Sequence, residues 1–275
     1  MGKNLKVRLV IIDPQNDFCD GDSRATLPVA GAKDDMVRLS GLIDRVGKKL
    51  NGITVTLDSH NLIDIAHPAW WRGQDGKQPI PFTIISAADI QAGIWVPRKP
   101  ELLKRTLAYA KSLEAGGNYK ICVWPAHCLI GTWGHNVHET LNTALQNWCN
   151  NEFVTVDYVT KGSNPFTEHY GALMAEVPDA NDPGTSLNTE FLSILAETDI
   201  IAVAGEASSH CVLTTVKQIA ENIGDEHLKK FHILTDCMSP VGALPGLDFP
   251  AIAKEFFADM EKRGMVLTNS IDFLR

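Results

Sequence analysis

The sequence predicts an α/β protein: a doubly wound, mostly parallel six-stranded sheet with helices on both faces. Three observations carry that expectation. Short β-branched runs alternate with longer segments whose apolar residues recur every three or four positions. The alternation continues along the chain with no internal repeat and no low-complexity tract. Residues able to do chemistry fall directly after the predicted strands, where open parallel sheets bind their ligands.

Taken in order, Val7 to Ile12 is a first apolar strand, stopped by Asp13. Met36, Leu39, Ile43, Val46 and Leu50 then mark one face of a helix, and Ile53 to Leu57 a second strand. Residues 68 to 100 break the pattern, holding five of the fourteen prolines and three of the six tryptophans. That proline density excludes a continuous helix or a central strand. The segment is expected to be a long ordered insertion beside the site, serving as a lid or a subunit contact, with a packed surface excursion as the equal alternative. Lys120 to Trp124 reads as a third strand, followed by a helix carrying Val137, Leu141, Leu145 and Trp148. Phe153 to Val159 is the fourth strand and Leu187 to Leu195 a helix. Ile200 to Ala204 is the fifth strand, with Val212, Val216 and Ile219 on the next helix. Phe231 to Thr235 and a short run at Met265 to Leu267 complete the sheet. Right-handed crossovers would join these strands into one domain spanning residues 1–275.

Composition narrows the function. Lys and Arg number 25 against 33 Asp and Glu, a formal charge of -8, which argues against nucleic acid and anionic membrane surfaces as partners. With 275 residues, the chain can bury roughly 70 to 75% of its unfolded surface without staples. Six cysteines with no CxxC pair point to reduced thiols and a cytoplasmic protein. Val7 to Ile12 is too short for a signal-peptide core, and the uncharged stretch 121–138 contains Pro125 and three histidines, so no membrane span is expected.

The chemistry collects at five strand ends. Asp13 follows the first, Asp58-Ser59-His60 the second with His67 seven residues on, His127 the third, Lys161 the fourth and Cys211 the fifth. Asp58 and His60, two residues apart, can face one centre, and His67 and His127 would complete a ligand set for a divalent metal. Zinc suits such a set best, with iron or manganese as alternatives, and Asp64 competes with His67 for the last position. Cys211 begins a predicted helix, whose N-terminus lowers a thiol pKa. The help is needed, because an ordinary thiol is only about 3% thiolate at pH 7. Lys161 supplies positive charge and Asp13 a proton acceptor, while the other five cysteines read as core. Phosphate-loop, dinucleotide and H-E-x-x-H motifs are absent.

Asp13 in D-P-Q-N-D-F, Asp58-Ser-His60, W-P-A-H-C at 124–128, Lys161-Gly162 and G-E-A-S-S-H-C-V at 205–212 together resemble the nicotinamidase branch of the isochorismatase-like cysteine hydrolases. The resemblance runs from about residue 7 to 237, with five short motifs in register. It implies a Rossmann-like three-layer fold and a catalytic triad of Asp13, Lys161 and Cys211. It further implies an oxyanion hole from the backbone N–H groups of Ala207 and Cys211 beside a cis Glu206–Ala207 peptide. By the same resemblance Asp58, His60, His67 and His127 surround the metal, and Phe18, Trp124 and Tyr170 wall a small-molecule amide substrate. A homo-oligomer is expected. Glu206, Ser208 and Ser209 depart from the commoner turn before the nucleophile, which places another small amide, carbamoyl or ureido substrate beside nicotinamide. A catalytically silent binding protein on the same fold is the remaining alternative, against which the intact Asp13, Lys161 and Cys211 argue.

Overall fold

The computed structural model describes residues 5–19, 21–116, 120–243 and 246–275. Its elements, in chain order, begin with β1 (Val7–Ile12), α1 (Ala32–Val46) and β2 (Gly52–Asp58). An excursion follows with β3 (Trp71–Gly73), β4 (Thr83–Ile85), α2 (Ala87–Gln91), β5 (Trp95–Pro97), α3 (Leu103–Ala115) and β6 (Ile121–Val123). The chain then continues through α4 (Glu139–Glu152), β7 (Asp157–Lys161), α5 (Thr189–Glu197) and β8 (Ile200–Gly205). It closes with α6 (Cys211–Asn222), β9 (Phe231–Leu234), α7 (Phe249–Lys262) and β10 (Val266–Thr268).

Six strands form the central sheet in the order β10-β9-β8-β1-β2-β7, with every pairing parallel. The period-two alternation of a strand explains how both faces are covered. Val7, Leu9 and Ile11 of β1 pack with Met36, Leu39 and Ile43 of α1 and Leu141, Leu145 and Trp148 of α4. Val10 and Ile12 point the other way, against Phe191 of α5, Val212 and Val216 of α6, and Phe257 of α7. Strands buried on both faces read as continuous apolar runs, as Leu9–Ile12 does after the partly buried Arg8. The predicted α/β architecture is the observed one.

Three expectations about elements need correction. The strand expected at Lys120–Trp124 forms over Ile121–Val123, but it pairs antiparallel with β4 and stands outside the central sheet. The sixth place in the sheet is taken by β10. The strand expected from Phe153 begins only at Asp157, because Phe153 caps α4 in the left-handed region at φ 55°. Finally, the 68–100 segment is more than a loop. Two antiparallel ladders, β3 with β5 and β4 with β6, pack with α2 and α3 around a small core of their own that includes Trp70, Trp71, Ile85, Tyr109 and Val123. The prolines do exclude a long helix there, and α2 is a five-residue turn fixed by a Ser86/Asp89 capping box. No helix among the described residues is long and apolar enough to cross a membrane.

Candidate active site

Parallel strands deliver their last residues to one edge of a sheet. Here that edge gathers Asp13 after β1, Asp58 at the end of β2, Lys161 at the end of β7 and Cys211 beyond β8. Lys161 stands at the centre. Its Nζ lies 2.8 Å from Asp13 Oδ2, 3.1 Å from Asp58 Oδ1 and 3.7 Å from Cys211 Sγ, and it donates to the His169 carbonyl at 3.0 Å. All four side chains are buried. The three residues expected as a triad are therefore brought together.

Glycines make this approach possible. Gly205 ends β8 at φ 113°, and a Cβ there would meet the Ile12 carbonyl oxygen at 2.0 Å, so only glycine lets β8 close on β1. The next peptide, Glu206–Ala207, is cis, as the resemblance implied. Glu206 is buried, and its Oε2 accepts from the Ser239 N–H at 3.2 Å.

Burial decides the protonation of the pair. It raises Asp13, with Asp58 adding to the effect and Lys161 opposing it. Burial alone would lower Lys161, but the Asp13 and Asp58 carboxylates hold it well above the ordinary lysine range. For Cys211, burial raises the thiol well above its ordinary value although Lys161 pulls it down. The expected low-pKa thiol is thus not the resting species. Helix and lysine are in place, yet desolvation of the thiolate outweighs them. The site combines an ammonium, a neutral thiol and an Asp13 carboxyl whose proton affinity burial raises.

Beside this group, His60, His67 and His127 present nitrogen atoms within 4.8 Å of one another, all buried. Asp58 Oδ2 lies 3.1 Å from His60 Nε2 and 3.3 Å from His127 Nε2, so one carboxylate serves both clusters. Outer partners orient each ring. His60 Nδ1 is 3.1 Å from Asp64, His67 Nδ1 is 3.2 Å from the Asn61 carbonyl, and His127 Nδ1 is 2.8 Å from the Pro125 carbonyl. These contacts leave the Nε2 atoms for the centre, the usual arrangement around a protein-bound metal. His67 Nε2 is buried with no hydrogen-bond partner among the described residues, which a cation would relieve. Asp64, weighed as a competing ligand, instead holds His60. Burial pushes His67 down to about 4, with repulsion from His127 and His60 adding to it, so it is a neutral imidazole ready to ligate. Burial also disfavours charge on His60, but Asp58 and Asp64 overcome it and raise that ring to about 10. Excess negative potential there attracts either a proton or a cation.

The W-P-A-H-C segment reaches the site from β6. Trp124 N–H donates to Ala66 O at 2.7 Å, and His60 N–H to Cys128 O at 3.0 Å, stitching it to the loop after β2. Phe18, Trp124 and Tyr170, the three expected wall residues, line one pocket together with Asp58, His60, His127, Ala207 and Cys211. That pocket encloses about 520 Å³, counting solvent at its mouth. Trp124 Nε1 donates to Tyr170 Oη at 2.9 Å.

Several residues of the site escaped sequence reasoning. Gln15 grips Asp58 through both main-chain groups, Oε1 accepting from its N–H and Nε2 donating to its carbonyl, each at 2.7 Å. Gly162 has φ 84°, and a Cβ there would lie 2.7 Å from Asp58 Oδ1. Glu168, His169 and His210 also line the pocket. His210 packs against Phe249 at 4.7 Å and Trp124 at 5.4 Å between ring centroids, and burial lowers it to about 4. Its place immediately before Cys211 was the one signal available.

Fold and site together define an α/β protein with a buried Cys-Lys-Asp cluster at the carboxyl edge of a parallel sheet. No family model and no curated protein matches the sequence. Solved structures do match. A nicotinamidase and pyrazinamidase from Acinetobacter baumanii is similar over 99% of this chain and 100% of its own, at 20% identity and a TM-score of 0.63. The yeast nicotinamidase bound to the inhibitor nicotinaldehyde covers 96% of this chain and 99% of its own, at 17% identity and a TM-score of 0.63. A Pyrococcus horikoshii pyrazinamidase in complex with zinc covers 96% and 99%, at 15% identity and a TM-score of 0.53. The fold of this chain is therefore the one those nicotinamidases have.

Proposed function

We propose that the protein is a metal-containing cysteine amidohydrolase that converts nicotinamide and water to nicotinate and ammonia. The observation that carries this reading is Lys161 Nζ bridging Asp13 and Cys211 at the base of an aromatic pocket, beside a three-histidine cluster. Likeness of fold to nicotinamidases supports the same substrate class.

The chemistry follows from the protonation states. Asp13 takes the proton of the Cys211 thiol while Lys161 compensates the charge that develops on sulfur. The thiolate attacks the amide carbonyl carbon. Backbone N–H groups of Ala207 and Cys211 hold the resulting oxyanion, each worth about 3 to 4 kcal/mol by analogy with other such donors. Asp13 returns the proton to the leaving nitrogen, the C–N bond breaks, and ammonia departs from a thioester. Asp13 then draws a proton from water, whose oxygen attacks the thioester; the C–S bond breaks, Asp13 returns that proton to the departing thiolate, and nicotinate leaves with its remaining proton passing to solvent. Phe18, Trp124 and Tyr170 hold the ring so that the amide meets the sulfur, a gain of orientation. Asp58, His60, His67 and His127 would hold a divalent cation, zinc by donor chemistry, which supplies Lewis acidity and fixed positive charge at the pocket edge.

Ammonia release from a panel of nicotinamide, pyrazinamide, benzamide and ureido compounds tests the reading. Nicotinamide turnover that disappears in Cys211→Ala is expected. Turnover of a ureido compound without nicotinamide would replace the substrate and keep the mechanism. No turnover of any member would leave the binding-protein alternative.

A further inference from the structure

Glu168 belongs to neither the triad nor the histidine cluster, yet it is 2% exposed and borders the pocket. Its carboxyl oxygens point two ways. Oε1 accepts from Tyr170 Oη at 2.6 Å, and Oε2 accepts from Tyr109 Oη at 3.0 Å. The Glu168 N–H in turn donates to Tyr109 Oη at 3.0 Å. Tyr109 lies on α3, inside the small core of the excursion, whereas Tyr170 and Trp124 are pocket wall.

With Glu168 as the carboxylate, donor chemistry fixes the direction of every bond in this chain. An indole nitrogen only donates, so Tyr170 Oη accepts from Trp124 and must send its own proton to Glu168. Tyr109 Oη accepts from the Glu168 N–H and must send its proton to the other carboxyl oxygen. Glu168 is thus the shared acceptor that joins two hydroxyls from separate parts of the fold. Every member except Tyr170 is among the buried residues, and Tyr170 is partly buried.

We infer that Glu168 is a positioning residue, which locks the Trp124–Tyr170 wall through Tyr109 and so makes the excursion a structural determinant of how the pocket grips a flat aromatic ring. It touches no reacting atom. Its effect is to hold two rings in one orientation, and the loss of such orientation weakens binding of the ring before it alters chemistry on the sulfur. Coupling of this kind shows as non-additivity between residues of one network.

The substrate arm of the test rests on the amidohydrolase reading above, and the spectroscopic arm does not. In ¹⁵N-labelled protein the Trp124 indole resonance is assigned by its disappearance in Trp124→Phe. Tyr109→Phe and Glu168→Leu are both expected to move that resonance without any substrate present. Glu168→Gln, which keeps the shape and one acceptor oxygen, is expected to fall between Glu168→Leu and wild type. With nicotinamide, Tyr109→Phe should raise KM about fivefold and Glu168→Leu about tenfold, with kcat within threefold of wild type. The double variant should be no worse than Glu168→Leu alone. An unmoved Trp124 resonance in Tyr109→Phe, or KM effects that simply multiply in the double variant, overturns the inference. If Glu168→Leu does not fold, Tyr109→Phe and Glu168→Gln decide by the same resonance. Failure of nicotinamide turnover in wild type would remove the substrate, while the resonance would still decide the wiring.

Discussion

Replacing Lys161 by methionine keeps all but the last atom of the side chain's length and removes the ammonium between Asp13 and Asp58. At separations of 2.8 and 3.1 Å and an effective dielectric of about 20, the two attractions amount to roughly 6 and 5 kcal/mol. Desolvation of three buried ions offsets most of that sum. What remains on removing one partner of a buried pair is a loss of about 3 to 5 kcal/mol. The loss has a pH signature that packing defects lack. Without the ammonium, Asp13, already raised by burial, binds a proton in the folded state that the unfolded chain releases near pH 4. Stability of the variant therefore falls as pH rises from about 4, because the folded state binds more protons than the unfolded state. The gap to wild type should be small near pH 5 and full by pH 8. Urea unfolding at four pH values between 5 and 8 measures it, and a thermal midpoint about 10 °C lower is expected at pH 7.5. A gap of equal size at pH 5 and pH 8 would show that lost packing, not stranded charge, explains the variant.

Other perturbations separate the remaining parts of the site. His60→Ala, His67→Ala and His127→Ala should each lower zinc, iron or manganese content per chain in purified protein, as read by elemental analysis; unchanged content in His67→Ala removes that ligand from the set. Asp64→Asn, which alters the outer contact to His60 beside the bond Asp64 Oδ1 accepts from the Ala66 N–H, should weaken metal binding by about 10- to 100-fold. Gly162→Ala should cost about 1 to 2 kcal/mol for its left-handed backbone and displace Asp58 as well, so metal content should drop with stability. His210 is buried neutral, lowered by burial to about 4 from an ordinary 6.5, so its contribution is present above pH 6.5 and lost as pH falls through 4. His210→Gln should flatten the acid side of the stability curve by up to about 3 kcal/mol, and an unaltered curve refutes that assignment.

Much of this was legible in the sequence, for identifiable reasons. Ile200–Gly205 throughout, and Val7–Ile12 apart from Arg8, are apolar because both of their faces are buried, and such runs announce central strands. Asp13, Asp58, Lys161 and Cys211 stood out because a polar residue at the end of an apolar strand has little other reason to be there. Ile121–Val123 carries the same local signal, and nothing local distinguishes an antiparallel ladder with β4 from a place in the central sheet. The resting thiol was misjudged for a related reason. A helix start is visible in sequence, whereas the depth of burial that raises Cys211 is a property of the assembled fold. Gln15 and Glu168 act through partners 43 and 59 positions away, and His210 through ring packing with Trp124 and Phe249, 86 and 39 positions away, and no spacing rule reaches that far.

The departure of β6 from the central sheet divides the site by origin. The central sheet carries the atoms that would make and break bonds, while Trp124 and His127 arrive on a segment anchored to the side ladder. Change in that ladder would act first on Trp124 and His127, and through the 3.3 Å contact of His127 with Asp58 on the histidine cluster. On the amidohydrolase reading, Trp124 of the pocket wall and the reacting groups thus stand on separate pieces of the chain.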